Sequence, residues 1–349
     1  MIKLTINNTT CTSIEDIHQY ASRETALFIE EFLNDKKHIV AYTSGSTGEP
    51  KEIHLLKSDM RASAKLTNEY FGLNEDSVFY LNLSPNYIAG KMMIVRALEL
   101  GAKIIEEEPS NQPLANYSYN DRINLGAFVP SQIKYLINNH EKLVLFDNII
   151  IGGGKLPLRL ERWLAEQGIR AFCTYGMTET CSHVALAPVG TTSQPYTALN
   201  GISFATDERG CLIINAPHFS VSKIITNDIV ELLSPTQFYW CGRYDNVINT
   251  GGIKVFPEKI EPLIAEVLTH ARFFITSQPS DKWGEELVLA LEYPSLNENE
   301  VRTGNIMPSL VEKLKTKLPS HSIPKKYIVV KKFNETSSGK IIRKIPQYD

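Results

Sequence analysis

Tyr42-Thr43-Ser44-Gly45-Ser46-Thr47-Gly48-Glu49-Pro50-Lys51 is the stretch whose reading decides the rest of the chain. On its amino-terminal side, Lys37 to Tyr42 is apolar without helical spacing and predicts a short buried strand. On its carboxy-terminal side, Ser58 has the side chain of an N-cap and predicts a helix running to about Phe71. Residues 43–51 between them hold two glycines, four hydroxyl residues and a lysine, with almost no apolar surface. Such a loop offers backbone N–H groups, hydroxyl donors and an ammonium to a single polyanion. Glycine there lets the backbone approach phosphate oxygens with no Cβ in the way. It is not a Walker A loop, because Pro50 occupies the place of that motif's second glycine and Glu52 succeeds the lysine. A solvated glycine–serine turn has the same composition, so the meaning of the loop depends on the motifs downstream of it in the chain.

The chain has 349 residues, enough for two domains and too many for one ordinary core. Its 43% apolar and 21% charged residues describe a globular protein. With 36 basic against 39 acidic residues the net charge is −3, so no bulk field points to nucleic acid or to a membrane surface. The five cysteines, Cys11, Cys173, Cys181, Cys211 and Cys241, are widely spaced with no C-x-x-C. They suit a reducing compartment better than a disulfide scaffold or a zinc site. The opening MIKLTINNTT lacks the apolar run of a signal peptide, and no stretch has the length of a membrane span. The expected location is cytoplasmic. Monomer or homodimer stays open.

Residues 1–36 predict a leading strand and then a helix. Ser13 and Asp16 are spaced as a capping box, and Ile14, Ile17, Ala21, Phe28 and Phe32 recur on one face. Further short apolar runs at Val78–Leu83, Lys103–Ile105, Leu125–Val129, Asn148–Ile151 and Arg170–Cys173 alternate with helical segments such as Tyr87–Leu100 and Leu158–Gln167. That alternation predicts an α/β layer structure with ligands at the carboxyl ends of its strands. Two polar clusters come after strands in this way: Gly152-Gly153-Gly154-Lys155 and Thr174-Tyr175-Gly176-Met177-Thr178-Glu179-Thr180. The otherwise apolar helix at 87–100 carries Lys91 and Arg96, each either a cation presented to a cleft or a snorkelling surface charge. From about Gly201 close-spaced strands predict a small antiparallel β-subdomain. A boundary falls near Gly242-Arg243-Tyr244-Asp245, giving a unit over 1–244 and a separate α+β unit over 245–349. The last 39 residues, 311–349, hold ten Lys/Arg against three Asp/Glu, a solvated basic face by composition. Few aromatics interleave with those charges, which disfavours nucleic acid.

Six elements stand in one order and spacing: the loop at 43–51, Tyr175-Gly-Met-Thr-Glu179, Asn227-Asp228, Gly242-Arg243-Tyr-Asp245, Gly251-Gly252 and Thr336-Ser-Ser-Gly-Lys340. Together they resemble the adenylate-forming superfamily of acyl-CoA synthetases, peptide-synthetase adenylation domains and luciferases, over about residues 39–344. The resemblance implies a large amino-terminal α/β domain with a small antiparallel β-subdomain, plus a mobile carboxy-terminal α+β lid. It also implies an amino-terminally shortened version of that fold, because the phosphate loop starts at 43.

By this resemblance Thr43, Ser44, Gly45, Ser46, Thr47, Gly48 and Lys51 would cradle the β- and γ-phosphates of ATP. Gly152, Gly153, Gly154 and Tyr175 would frame the adenine, with Gly176 and Met177 in the same motif. Thr178 would donate to the α-phosphate and Glu179 would hold Mg²⁺, a hard cation that takes oxygen ligands. Asp228 and Arg243 would hold the ribose. Lys340 would be the catalytic residue, its ammonium bridging carboxylate and α-phosphate as the two anions meet. Asp245 would be the hinge, and Gly251 and Gly252 would line the route of the coenzyme A thiol.

Within the superfamily, Tyr175-Gly-Met-Thr-Glu-Thr-Cys181-Ser-His183 and Ile150-Ile-Gly-Gly-Gly154 look most like the o-succinylbenzoate–CoA ligases of menaquinone synthesis. Their substrate is an aromatic keto-dicarboxylate, so one carboxylate is activated and the other needs a cation; Lys91 and Arg96 are the candidates. Two departures stand out. Asn86-Tyr87 replaces an aromatic–histidine pair, and Asn227 replaces the glycine before the ribose aspartate. Two other functions are open: adenylation in the service of a carrier protein, and nucleotide binding without catalysis. The presence of Lys340 and Glu179 argues against the second.

Overall fold

A computed structural model describes residues 2–44, 50–115, 121–268, 271–292, 308–335 and 341–345. Its centre is a layer of parallel strands in the order Ala171–Gly176, Ile149–Ile151, Leu125–Phe128, Val78–Leu81, Lys103–Glu106 and Leu4–Ile6, edged by the antiparallel Thr9–Cys11. Successive side chains of a strand point to opposite faces. Phe79, Leu81, Ile104, Leu125 and Ile150 accordingly pack into one core with the helices Arg23–Leu33, Lys57–Phe71 and Ile88–Leu100. Their neighbours Val78, Tyr80, Ile105, Ile149 and Ile151 pack into a second with the helices Pro130–Asn138 and Leu158–Glu166. Burial on both faces explains why these strands are apolar without alternation.

The antiparallel strands expected from Gly201 onward are present, and they continue the large sheet at its edge. Lys223–Ser234 pairs with Gln237–Arg243, which pairs with Tyr196–Ala198. That strand pairs in turn with His183–Pro188, and His183–Pro188 with Ala171–Gly176. Hydrogen bonding therefore runs unbroken through 13 strands of the described residues. Two expectations change. The helix read across residues 14–32 is two, Ile14–Tyr20 and Arg23–Leu33. Ser13 and Asp16 do form the capping box, but Ser22 caps a second start by accepting from Thr25 N at 3.2 Å. Furthermore, the phosphate-loop candidate does not lead directly into a helix. Pro50–Leu56 is a strand paired antiparallel with His38–Ser44, and Lys57–Phe71 comes next with Leu56, not Ser58, at its cap. This hairpin is a two-stranded sheet of its own, with no hydrogen-bonded neighbour among the described strands.

Past the short turn Tyr244–Asn246, a five-stranded sheet is built from two antiparallel hairpins, Ile248–Thr250 with Ile253–Val255 and Arg272–Ser280 with Gly284–Glu292. Lys326–Val330 is added to it in parallel. The helices Pro257–Ala265 and Pro308–Lys317 cover it, and its core is made from residues of this segment alone, among them Ile260, Ile264, Leu287, Leu289 and Leu314.

Candidate active site

Two neighbouring parallel strands set the site. Ile149–Ile151 and Ala171–Gly176 end side by side, and Thr174 Oγ1 donates to Ile151 O at 3.2 Å just where the first runs into Gly152. A Cβ at Gly152 would lie 2.6 Å from that hydroxyl. Over these ends lies a cavity of about 280 Å³. Gly152, Gly153, Gly176, Met177 and Thr178 line it, as do the apolar Leu83, Ala127, Val129 and Ile150, with Arg96, Ser182 and His183 also in its wall. Gly154 stands at the exposed end of the same loop, and Glu179 lies on the one-turn helix Thr178–Thr180 at the rim, exposed to solvent.

Asp228 sits on Lys223–Ser234 directly opposite Arg243 of the next strand. It is largely buried, and three side chains converge on its carboxylate. Tyr175 Oη donates to Oδ2 at 2.8 Å, Trp240 Nε1 donates to Oδ1 at 3.2 Å, and Arg243 Nη1 stands 3.8 Å from Oδ1. Burial, and then the negative charge of Asp228, push the Tyr175 phenol far up, so it stays a neutral donor. The Tyr175 ring packs edge-on against Phe238, 5.0 Å between centroids, which fixes its plane. The sequence does not reveal Trp240 or its contact, because the hairpin register that brings residue 240 to residue 228 cannot be read from either strand alone. Asn227 lies in extended strand, takes a hydrogen bond from Arg209 Nη1 at 3.1 Å and reaches Asp245 Oδ2 at 3.5 Å, so nothing at that position requires glycine.

The two candidate cations part company. Positions 91 and 96 are five residues apart, about 140° around a helix, and cannot share a face. Lys91 does not line the cavity: its ammonium lies 4.5 Å from the centroid of the Phe28 ring, facing the charge of Glu31, and burial draws its pKa down. Arg96 is in the cavity wall, only 2% exposed, and so is no snorkelling charge. Nη2 donates to Ser182 Oγ at 2.5 Å and Nη1 to Met93 Sδ at 3.5 Å, while Nε has no partner among the described residues. No carboxylate of the described residues pairs with it. Burial draws the guanidinium down to about 9, still cationic at neutral pH.

Thr43 and Ser44 end the strand His38–Ser44, their backbones paired with Lys51 and Pro50, so residues 45–49 join two strands of a hairpin. Gly45, Ser46, Thr47 and Gly48 themselves lie outside the described residues, as does Lys340. The strand Pro50–Leu56 packs against the turn Thr178–Thr180, which brings the hairpin to the rim of the cavity. Asp245, on the turn between the two sheets, accepts from Arg243 Nη2 at 3.1 Å. Gly251 and Gly252 are the two central residues of the hairpin Ile248–Thr250/Ile253–Val255, both with positive φ, 58° and 82°. A two-residue turn of primed type requires that, so the fold alone accounts for both glycines.

Among the described residues no three His, Cys, Asp or Glu side chains converge on a metal-sized point. Mg²⁺ is commonly held by one or two carboxylates with phosphate and water oxygens completing the octahedron, and the single solvent-accessible carboxylate of Glu179 fits that manner of binding. No helix of the described residues is long and apolar enough to cross a membrane.

Comparison with known proteins gives a consistent picture. The family model described as AMP-binding enzyme matches residues 11–207. The 2-succinylbenzoate–CoA ligase of Enterococcus faecalis is 23% identical, over 95% of this chain and 74% of the relative. Among solved structures, an acyl-CoA synthetase (AMP-forming)/AMP-acid ligase II-like protein from Dyadobacter fermentans is 32% identical, covers 92% of this chain and 91% of its own, and superposes with a TM-score of 0.60. The Bacillus subtilis o-succinylbenzoate CoA synthetase in complex with its acyl-adenylate intermediate is 20% identical with a TM-score of 0.73, over 87% of this chain and 67% of that one.

Proposed function

Because the chain belongs to the family of AMP-binding enzymes, we propose that it is an ATP-dependent acid–CoA ligase working through an acyl-adenylate, with o-succinylbenzoate as the acid. The observation that carries the choice of acid is Arg96. A guanidinium buried in the wall of an otherwise largely apolar cavity, without a carboxylate partner among the described residues, is costly unless a ligand supplies the anion. A dicarboxylate supplies it at the end remote from the reacting group. Arg96 then binds the second carboxylate, and Lys91, turned to Phe28, takes no part.

Residues 43–48 and Lys51 hold the β- and γ-phosphates, Gly152–Gly154 and Tyr175 frame the adenine, and Thr178 donates to the α-phosphate. Asp228 accepts from the ribose hydroxyls, and Arg243 donates to the same sugar. Tyr175 and Trp240 hold the Asp228 carboxylate in one orientation before the sugar arrives, so its ordering cost is met in the free protein. Mg²⁺ at Glu179 supplies charge neutralisation on the phosphate oxygens. The carboxylate oxygen of the acid attacks the α-phosphorus, the bond to the bridging oxygen breaks, and pyrophosphate leaves with the electron pair. Lys340 stands between the two anions in that geometry. In the second step the thiolate of coenzyme A attacks the acyl carbon and AMP leaves. Residues 1–244 bind ATP and acid, and residues 245–349 carry Lys340 about a hinge at Asp245. The separate cores of the two segments support that division.

The test is acid-dependent exchange between pyrophosphate and ATP over a panel of carboxylic acids, with coenzyme A consumption measured afterwards. We expect o-succinylbenzoate to give the fastest exchange and a thioester product. Exchange without thioester moves the acceptor to a carrier protein, and nucleotide binding with no exchange for any acid overturns the ligase reading.

A further inference from the structure

Arg96 is one end of a chain of polar side chains that links three elements. Its Nη2 donates to Ser182 Oγ. Ser182 Oγ is 3.4 Å from His183 Nδ1, His183 Nε2 is 3.2 Å from Thr67 Oγ1, and Thr67 Oγ1 donates to Ser63 O at 3.3 Å. Arg96 lies on the helix Ile88–Leu100, Thr67 on the helix Lys57–Phe71, and His183 opens the strand His183–Pro188. Thr67 and His183 are buried, in a place where an unmet donor or acceptor is costly.

The chemistry at the Arg96 end gives the hydrogens between them a sense. A guanidinium only donates, so Ser182 Oγ accepts there and must send its own hydrogen elsewhere. His183 Nδ1 is the acceptor within reach, which makes the imidazole neutral with its hydrogen on Nε2. Nε2–H then donates to Thr67 Oγ1, and the threonine hydrogen goes to the Ser63 carbonyl. Every group then has one role, whereas the reverse order would make Ser182 Oγ accept twice and turn its own hydrogen into the cavity. Burial, with the Arg96 charge adding to it, holds the His183 pKa well below the usual imidazole range, so the ring stays an acceptor at Nδ1.

We propose that His183 is a positioning residue for recognition of the second carboxylate. By keeping the Ser182 hydroxyl hydrogen turned away from the guanidinium, it holds Arg96 in one orientation, with donors left over for an anion in the cavity. This rests on the ligase reading above. The sequence motif places Ser182 three residues after Glu179 but does not show that the His183 imidazole reaches Thr67 on the helix Lys57–Phe71.

Two measurements test it. In the exchange assay, His183→Leu is expected to raise KM for o-succinylbenzoate about tenfold or more, with kcat and KM for ATP changed by less than about threefold. A mono-amide of the acid that still supports exchange is expected to show less than about a threefold change in KM, because it lacks the charge that Arg96 receives. His183→Asn, which puts an amide oxygen near the place of Nδ1, is expected to recover most of the loss. Equal losses for the diacid and the mono-amide, or a parallel rise in KM for ATP, would make His183 merely structural and overturn the proposal. Independently of any substrate, ¹⁵N NMR of the ring is expected to show the Nε2–H tautomer with no titration between about pH 5.5 and about pH 8. A ring that titrates in that range, or that carries its hydrogen on Nδ1, overturns the relay even where exchange with o-succinylbenzoate is found. If the wild type shows no exchange, the ligase reading falls and the ring spectrum still decides the relay.

Discussion

Gly176 has backbone where a side chain would be. A Cβ there would lie 2.3 Å from Ser182 O and 2.5 Å from His183 Cα, both main-chain atoms of the adjoining strand that cannot swing aside. Gly176→Ala must therefore displace the start of His183–Pro188, and with it Ser182 and His183. We expect a loss of about 2 kcal/mol of stability or more, read as a lower urea midpoint at unchanged slope. The sequence marks this glycine as part of a nucleotide motif, and geometry adds a packing reason that no motif contains. Asp228 and the glycine run at 152–154 are likewise legible, because each lies on or just past a strand in a recognisable spacing. Trp240 is not, since its value comes from cross-strand register. Nor is the choice between Lys91 and Arg96, although the angle of about 140° between them means that only one can face a given cleft.

At the scale of the element, the hairpin of His38–Ser44 and Pro50–Leu56 is the least predictable piece and the most consequential. Ile39, Ala41 and Leu55 are buried while Glu52 and His54 are exposed, an alternation of period two. That pattern is present in Glu52-Ile-His-Leu-Leu56, but Pro50-Lys51-Glu52 at its start has the composition of a loop, which hides the strand between loop and helix. Because the hairpin has no ladder to a third described strand, its place is fixed by side-chain packing. Ile39→Ala, at a fully buried site, is expected to cost about 3 kcal/mol in the local stability of the ribbon, read by hydrogen exchange of its amides, and ATP affinity should fall with it. An ATP Kd unchanged in a destabilised variant would separate the hairpin from the nucleotide. The parallel strands, by contrast, are legible to within about three residues at their ends, since burial on both faces leaves few polar letters to mislead.

Across the whole molecule, the division of labour proposed for the two segments makes a further prediction. Lys340→Ala should abolish adenylate formation while thioester formation from a supplied acyl-adenylate survives. Measuring pyrophosphate exchange and thioester yield side by side checks this, and equal loss in both steps would reduce the lysine to a structural role. The described residues on either side of position 340 are firmly held: Glu335 bridges to Ile341, and Arg343 grips Glu261 with both terminal nitrogens, at 2.6 and 2.7 Å. Burial alone would lower the Arg343 pKa, but the hydrogen bonds and charge of Glu261 outweigh it and the pKa rises. Among the described residues, the two-stranded ribbon of His38–Ser44 and Pro50–Leu56 has no ion pair to another element. On warming, side-chain packing alone gives way sooner than a thirteen-strand ladder, so the ribbon belongs to the low-stability end of the molecule. Catalysis should therefore fade several degrees before the fold melts, and a ribbon stitched to its neighbour would raise the working temperature with no change in the melting point.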